Sequence, residues 1–264
     1  MDLQLNAQHV LITGGSKGIG LACAHAFLAE GARVTLISRS AEHLAAAQAE
    51  LTAAHAGASV HTVAADLRKA EQAQAAVVQA QQLGGDIDVL VNSAGAAKRT
   101  PPAELQAQAW HDAMDAKYFS YIHVLDPVIH AMAARGRGAV VNVIGAGGKV
   151  ANPIHMPGGA ANAALMLVTA GMASAYAAKG LRINAVNPGQ TLTERLKEGL
   201  AAEARMNGGS VEEAQAKATA RIPMGRMAAP EEIANAVVFL ASSKASYISG
   251  VVLTMDGVTS PIVV

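Results

Sequence analysis

Near the start of the chain, Gly14-Gly15-Ser16-Lys17-Gly18-Ile19-Gly20 has the make-up of an anion-binding turn. It follows a strand-like apolar run, His9 to Thr13, and opens a helical stretch from Leu21 to Glu30. Small residues let the backbone approach a pyrophosphate, and a helix N-terminus offers unpaired N–H groups and the positive end of its dipole. A glycine triad alone is weak, since many turns are glycine-rich. The strand before it and the helix after it favour a cofactor cradle over an ordinary strand-to-helix turn.

The elements that must position this turn alternate along the whole chain. Arg33 to Ser38 reads as a second strand, followed by an alanine-rich helix from Ala41 to Ala56 with Ser40 as N-cap. Val60 to Ala64 is a strand, Lys69 to Leu83 a helix ended by Gly84-Gly85, and Ile87 to Val91 a strand apolar on both faces. A long helix is expected over Leu105 to His123, continuing past Pro127 only with a bend. Ala139 to Ile144 and Arg182 to Val186 are further buried strands, separated by a helix from about Gly159 to Lys179. Glu231 to Ala241, after Pro230, is a helix, and Val251 to Met255 a last strand. The pattern implies an α/β fold: one doubly wound parallel sheet of about seven strands flanked by helices, with ligands at the strands' C-terminal ends. Residues 191–221 interrupt the rhythm, and either a substrate lid or a surface helical pair fits them.

At 264 residues the chain suits a single domain, 1–264, with a sizeable core. Its formal charge of +0, without a basic block or acidic tail, argues against nucleic acid or an anionic membrane as partner. The one cysteine, Cys23, precludes an intramolecular disulfide and reads as a small buried thiol. No leader-like segment precedes the first strand and no uninterrupted apolar run is long enough to span a bilayer, so the chain reads as soluble and cytoplasmic. No metal site is assigned.

The motifs Thr13-Gly14-x-x-x-Gly18-Ile19-Gly20, Asp66-Leu67, Asn92-Ser93-Ala94-Gly95, Asn187-Pro188-Gly189, Pro230-Glu231-Glu232-Ile233-Ala234 and Asp256-Gly257 occur in this order. Together they resemble the short-chain dehydrogenase/reductase family along nearly the whole chain. The resemblance implies a Rossmann-type domain, a nicotinamide dinucleotide and a homo-oligomer, usually a tetramer. Its subunits would pair through the helices expected at Leu105 to His123 and Gly159 to Lys179. It places Gly14, Ser16, Lys17, Gly18, Ile19 and Gly20 at the diphosphate and Asp66 with Leu67 at adenine. Asn92, Ala94 and Gly95 would lie under the adenosine ribose, and Pro188, Thr191 and Thr193 at the nicotinamide carboxamide. An acidic residue ending the second strand would bond the ribose hydroxyls of NAD and repel a 2′-phosphate. Ser38 stands there instead, followed by Arg39, and with Lys17 this favours NADP over NAD.

The family's catalytic residues are an asparagine, a serine and a Tyr-x-x-x-Lys pair, and this chain departs from all of them. Alignment through the neighbouring motifs puts Lys117, Gly145, Gly158 and Asn162 at those four positions. Gly145 and Gly158 are thirteen positions apart, in agreement with the family's Ser-to-Tyr spacing. Tyr118, Tyr121, Tyr176 and Tyr247 are not followed by lysine at the fourth place.

Replacement candidates are Lys117, as acid, oxyanion holder or cofactor anchor, and His155, whose Pro/Gly loop precedes position 158. Asn162 retains the ability to hydrogen-bond the nicotinamide ribose, without a charge. Gly145, with Ala146-Gly147-Gly148, would either make room for a larger substrate or present an anion nest. The leading reading is an NAD(P)-dependent oxidoreductase acting on a small carbonyl or alcohol substrate through a non-standard active site. A non-redox enzyme using Lys117 and His155, and a cofactor-binding protein without turnover, remain the alternatives.

Overall fold

The computed structural model describes residues 2–95 and 98–262, with the side chains of residues 195, 198, 202 and 205–207 outside that description. Among the described residues, seven parallel strands form one sheet in the order β3-β2-β1-β4-β5-β6-β7. They are β1 (His9–Thr13), β2 (Arg33–Ser38), β3 (Val60–Ala64), β4 (Val89–Asn92), β5 (Gly138–Val143), β6 (Leu181–Pro188) and β7 (Val252–Met255). The strand order reverses between β1 and β4, which opens a crevice at the strands' C-terminal ends.

Side chains alternate across the pleat and so build two cores. Val10, Ile12, Val34, Leu36, Val89 and Val91 pack with Phe27 of α1 (Gly18–Ala29), Leu44 of α2 (Ala41–Ala54) and Val237 of α9 (Pro230–Ala241). Leu11, Ile37, Leu90, Val140 and Ile183 face the other way. They pack with Val77 of α3 (Ala70–Gly84), Val128 of α5 (Ser120–Arg135) and Ala173 of α6 (Met156–Tyr176). Ser40 caps α2 as expected, its hydroxyl accepting from His43 N. Cys23 is fully buried, and burial pushes its thiol up to about 12.

The helix expected over Leu105 to His123 is built differently. It comprises α4 (Ala107–Ala113), a π turn over Met114–Phe119, and α5 reaching Arg135 with Pro127 inside. The apolar face of α5, from Val124 through Met132, is packed on the sheet and carries the helix past the proline. The helix expected from Gly159 begins three residues earlier, at Met156, with Pro157 in its first turn, where a missing N–H costs nothing. With flanking turns it runs Pro153–Lys179, which by length and composition alone is long and apolar enough to cross a bilayer. Here it lies along β6 within the helical layer. Residues 191–221 fold as α7 (Glu194–Asn207) and α8 (Val211–Thr219), which share a small core of Leu200, Ala204, Ala214, Ala218 and Ile222.

Candidate active site

The glycine turn joins β1 to α1 with Gly14 at φ 67°, and Lys17 is the N-cap residue. A β-carbon on Gly14 would stand 2.8 Å from the Ser93 carbonyl oxygen, and one on Gly20 would run into the carbonyl of Gly14. Backbone thus packs on backbone, and the first turn of α1 carries no acidic residue. Thr193, the N-cap of α7, leans on the turn from above: its Cγ2 is 3.2 Å from where a Gly18 β-carbon would be.

Beside this turn lies a cleft of about 870 Å³ that includes Gly14, Ser38, Arg39, Asp66, Leu67, Ala94 and Gly95 in its lining. Ser16 Oγ donates to Ser38 Oγ at 3.0 Å, so the end of β2 is neutral, and Arg39 beyond it is exposed. Asp66 is gripped by Arg68 through bonds of 2.6 to 3.1 Å, and that guanidinium holds its carboxyl well below the usual range, at about 2. Lys17 is exposed on the other side of the turn. There it adds to the lowering of the Glu194 carboxyl, which is due first to Lys197.

Asn92 is fully buried and belongs to the scaffold rather than to the cleft wall. Thr13 Oγ1 donates to Asn92 Oδ1, Asn92 Nδ2 to Asn142 Oδ1, and Asn142 Nδ2 to Thr169 Oγ1, a polar string from β1 to α6. The same Thr13 hydroxyl accepts the N–H groups of Ser93 and Ala94, which fixes the segment leading to Gly95. Gly95 in turn abuts the carbonyl of Ala116, inside the π turn. Pro188 and Thr191 are buried at the end of β6, Thr191 in a bridge with Ala228.

Farther along the crevice, the loop after β5 meets the start of α6. Gly145 has φ +131°, a backbone state closed to other residues without strain, and its N–H donates to Asn187 Oδ1 at 3.0 Å. Asn162 Nδ2 lies 3.3 Å from where a β-carbon on residue 145 would stand. His155 lies against Gly147, its Cδ2 3.1 Å from the corresponding point there, with Asn162 alongside. Gly158 is buried in the first turn of α6.

The glycines of this loop do not make the space the sequence led us to expect. Gly159 packs on the Gly147 carbonyl and Gly148 on the Ala163 amide, at 2.7 and 2.8 Å from their would-be β-carbons. The anion nest fares no better, because the Gly145 and Gly148 amides already donate to Asn187 and to the Gly145 carbonyl.

Lys117, the candidate acid, oxyanion holder or cofactor anchor, is held by neighbouring groups in this structure. It is 8% exposed, and its ammonium donates to Tyr121 Oη at 2.8 Å and to the Val143 carbonyl at 3.0 Å. Tyr121 donates to that same carbonyl at 2.5 Å, and the ammonium sits 4.5 Å above its ring. The structure therefore groups His155, Asn162 and Gly145, while Lys117 secures the end of β5.

A family model described as enoyl-(acyl carrier protein) reductase matches residues 14–258. The 2-(S)-hydroxypropyl-CoM dehydrogenase 3 of Xanthobacter autotrophicus is 34% identical over 257 residues, 97% of this chain and 98% of that protein. The chain is a short-chain dehydrogenase/reductase. L-sorbose reductase from Gluconobacter frateurii, solved with NADPH and L-sorbose, superposes with a TM-score of 0.92 at 29% identity, covering 97% of this chain and 98% of that one. An NADPH-bound short chain oxidoreductase from Pseudomonas aeruginosa PAO1, described as containing an atypical catalytic center, gives 0.87 at 29% identity, covering 98% and 99%.

Against this family background, sequence reasoning missed Arg68, Tyr121 and the role of Asn187, which it named only within a motif. Arg68 had a signal, since a basic residue two places after Asp66 can close on it. Tyr121 had one too, because Lys117 and Tyr121 are four apart and share a helical face. Asn187 had none, since its tie to Gly145 joins residues 42 positions apart.

Proposed function

We propose that this short-chain dehydrogenase/reductase is an NADP(H)-linked oxidoreductase. It interconverts a carbonyl and an alcohol at a centre lacking the family's Asn, Ser, Tyr and Lys. The observation that carries the cofactor reading is the rim beyond β2: Ser38 is joined to Ser16, Arg39 rather than a carboxylate comes next, and Arg39 lines the cleft. A guanidinium there favours a 2′-phosphate, which the carboxylate of an NAD site would repel. The close backbone approach at Gly14 and Gly20 and the volume of the cleft fit a dinucleotide.

In this reading Gly14, Ser16, Lys17, Gly18, Ile19 and Gly20 hold the diphosphate, and Arg39 holds the 2′-phosphate. Asp66 and Leu67 hold adenine, and the Ala94–Gly95 backbone, steadied through Thr13 and Asn92, holds the adenosine ribose. Pro188, Thr191 and Thr193 serve the carboxamide. The bound nicotinamide supplies or takes up the hydride. The chain supplies orientation and a proton.

His155 carries the proton in this reading: its imidazole gives a proton to the substrate oxygen and takes it back in the reverse direction. The Lys117 ammonium, held by the Val143 carbonyl and Tyr121, keeps the end of β5 in place, so carbonyl-addition chemistry at that lysine loses support. The NADPH-bound relative with an atypical center supports a working enzyme with an altered site.

α7 and α8 form the lid, in keeping with Thr193 lying against Gly18. Two or four copies of this single-domain chain assemble through α6, whose apolar stretch is only 28% buried and whose Leu167 is 77% exposed. The unpaired Cys23 agrees with a cytoplasmic location.

Fluorescence titration with NADPH and NADH, followed by a panel of ketones and alcohols, tests this reading. NADPH should bind more tightly, and His155→Ala should lower turnover while leaving its affinity alone. Equal or absent binding of the two cofactors would sink the assignment.

A further inference from the structure

We infer that Asn162 orients the reacting oxygen of the substrate, from the space that a side chain at position 145 would otherwise fill. This rests on the oxidoreductase reading above. The sequence position of Asn162 points to the nicotinamide ribose, and in the structure its side chain reaches Gly145. The amide nitrogen lies 3.3 Å from the place of a β-carbon on residue 145, a position whose φ of +131° excludes ordinary side chains. The glycine leaves the space and the asparagine, arriving from α6, fills it.

Two unsatisfied polar atoms mark this point. Asn162 is 6% exposed, and its buried Oδ1 has no hydrogen-bond partner among the described residues. Asn187 is fully buried; its Oδ1 accepts the Gly145 N–H, and its Nδ2 also lacks a partner. Buried amides left in this state are rare because desolvation is uncompensated, so each points to a missing ligand group. One amide offers an acceptor and the other a donor, and both reach Gly145.

A hydroxyl answers both, donating to Asn162 Oδ1 and accepting from Asn187 Nδ2. A carbonyl oxygen accepts from Asn187 Nδ2 and, after a half-turn of the Asn162 amide, from Asn162 Nδ2 as well. The pair therefore accommodates both oxidation states of one neutral carbon–oxygen group. It contains no cation, which selects an alcohol or ketone oxygen over a carboxylate or phosphate.

Asn162→Ala and Asn187→Asp test the assignment in the full-length protein. Asn187→Asp keeps the acceptor for the Gly145 N–H and puts a carboxylate oxygen where the unmatched donor stood. Four quantities are measured: NADPH affinity by fluorescence, kcat and KM at saturating NADPH with a ketone from the panel, and the thermal midpoint. Each variant should lose roughly 10- to 100-fold in kcat/KM with NADPH affinity changed by less than about twofold. Asn162→Ala should not lower the thermal midpoint, since the lost oxygen made no bond. Weaker NADPH binding by about tenfold with kcat/KM intact would assign Asn162 to the ribose and overturn the inference. Unchanged values throughout would also overturn it. Wild-type protein that binds NADPH but reduces no ketone would overturn the oxidoreductase reading and this inference together.

Discussion

Replacing Arg39 by alanine should separate the two nicotinamide cofactors. Arg39 follows Ser38 at the end of β2 and lines the cleft, and among the described residues no carboxylate is bonded to it, so its guanidinium is available to a 2′-phosphate. Hydrogen bonds to charged groups contribute about 1.5 to 3 kcal/mol, with an exposed site toward the lower end. Each 1.4 kcal/mol is tenfold, so NADPH should weaken by about tenfold in Arg39→Ala, while NADH should change by less than about twofold. Arg68 cannot compensate, because Asp66 holds its guanidinium with bonds of 2.6 to 3.1 Å. Fluorescence titration of both cofactors at two salt concentrations provides the assay, and the wild-type preference for NADPH should shrink as salt screens the phosphate. Equal weakening of the two cofactors, or no change in either, would refute the reasoning.

Three further outcomes follow from other parts of the molecule. Arg182 donates to the carbonyls of Leu240, Ala241, Ser242 and Ala245 at 2.6 to 3.0 Å, closing the C-terminus of α9. Arg182→Ala should cost about 2–3 kcal/mol, read as a lower urea midpoint at unchanged m. His9 is buried between the Gly85 carbonyl and Thr35 Oγ1, and burial holds its pKa below 6.5. The folded state then binds fewer protons than the unfolded one. This contribution to stability is complete above pH 6.5 and falls as pH drops below it, and urea melts of His9→Gln should lack that part of the acid slope. Gly145→Ser should not restore activity: at φ +131° a side chain is strained by about 1–3 kcal/mol and meets Asn162, so both turnover and thermal midpoint should fall.

The sheet was legible because its strands are continuous apolar runs and its glycine turn sits between strand and helix. Local signals of that kind survive without tertiary context. Bounds slipped where packing decided them: α5 continues past Pro127 on the strength of its buried face, and the π turn places the Ala116 carbonyl against Gly95. In the site, residue types were legible while their bonding partners stayed hidden. Nothing near Lys117 in the sequence announces its bond to the Val143 carbonyl. Asn92 reads as a cofactor contact until Thr13 and Asn142 claim both ends of its amide. The four glycine-rich positions after β5 suggest space, yet the loop backbone packs directly on α6. Partners far apart in sequence leave no local trace, and they decide what a polar side chain is available to do.

The central claim is that this short-chain dehydrogenase/reductase carries out hydride transfer with NADP(H) although glycine occupies positions 145 and 158. Its most direct test is nicotinamide absorbance during incubation of the purified wild-type protein with NADPH and neutral ketones, and with NADP and the matching alcohols. The account predicts substrate-dependent oxidation of NADPH and reduction of NADP, both depressed in His155→Ala. Tight NADPH binding with no absorbance change for any substrate in either direction would contradict it.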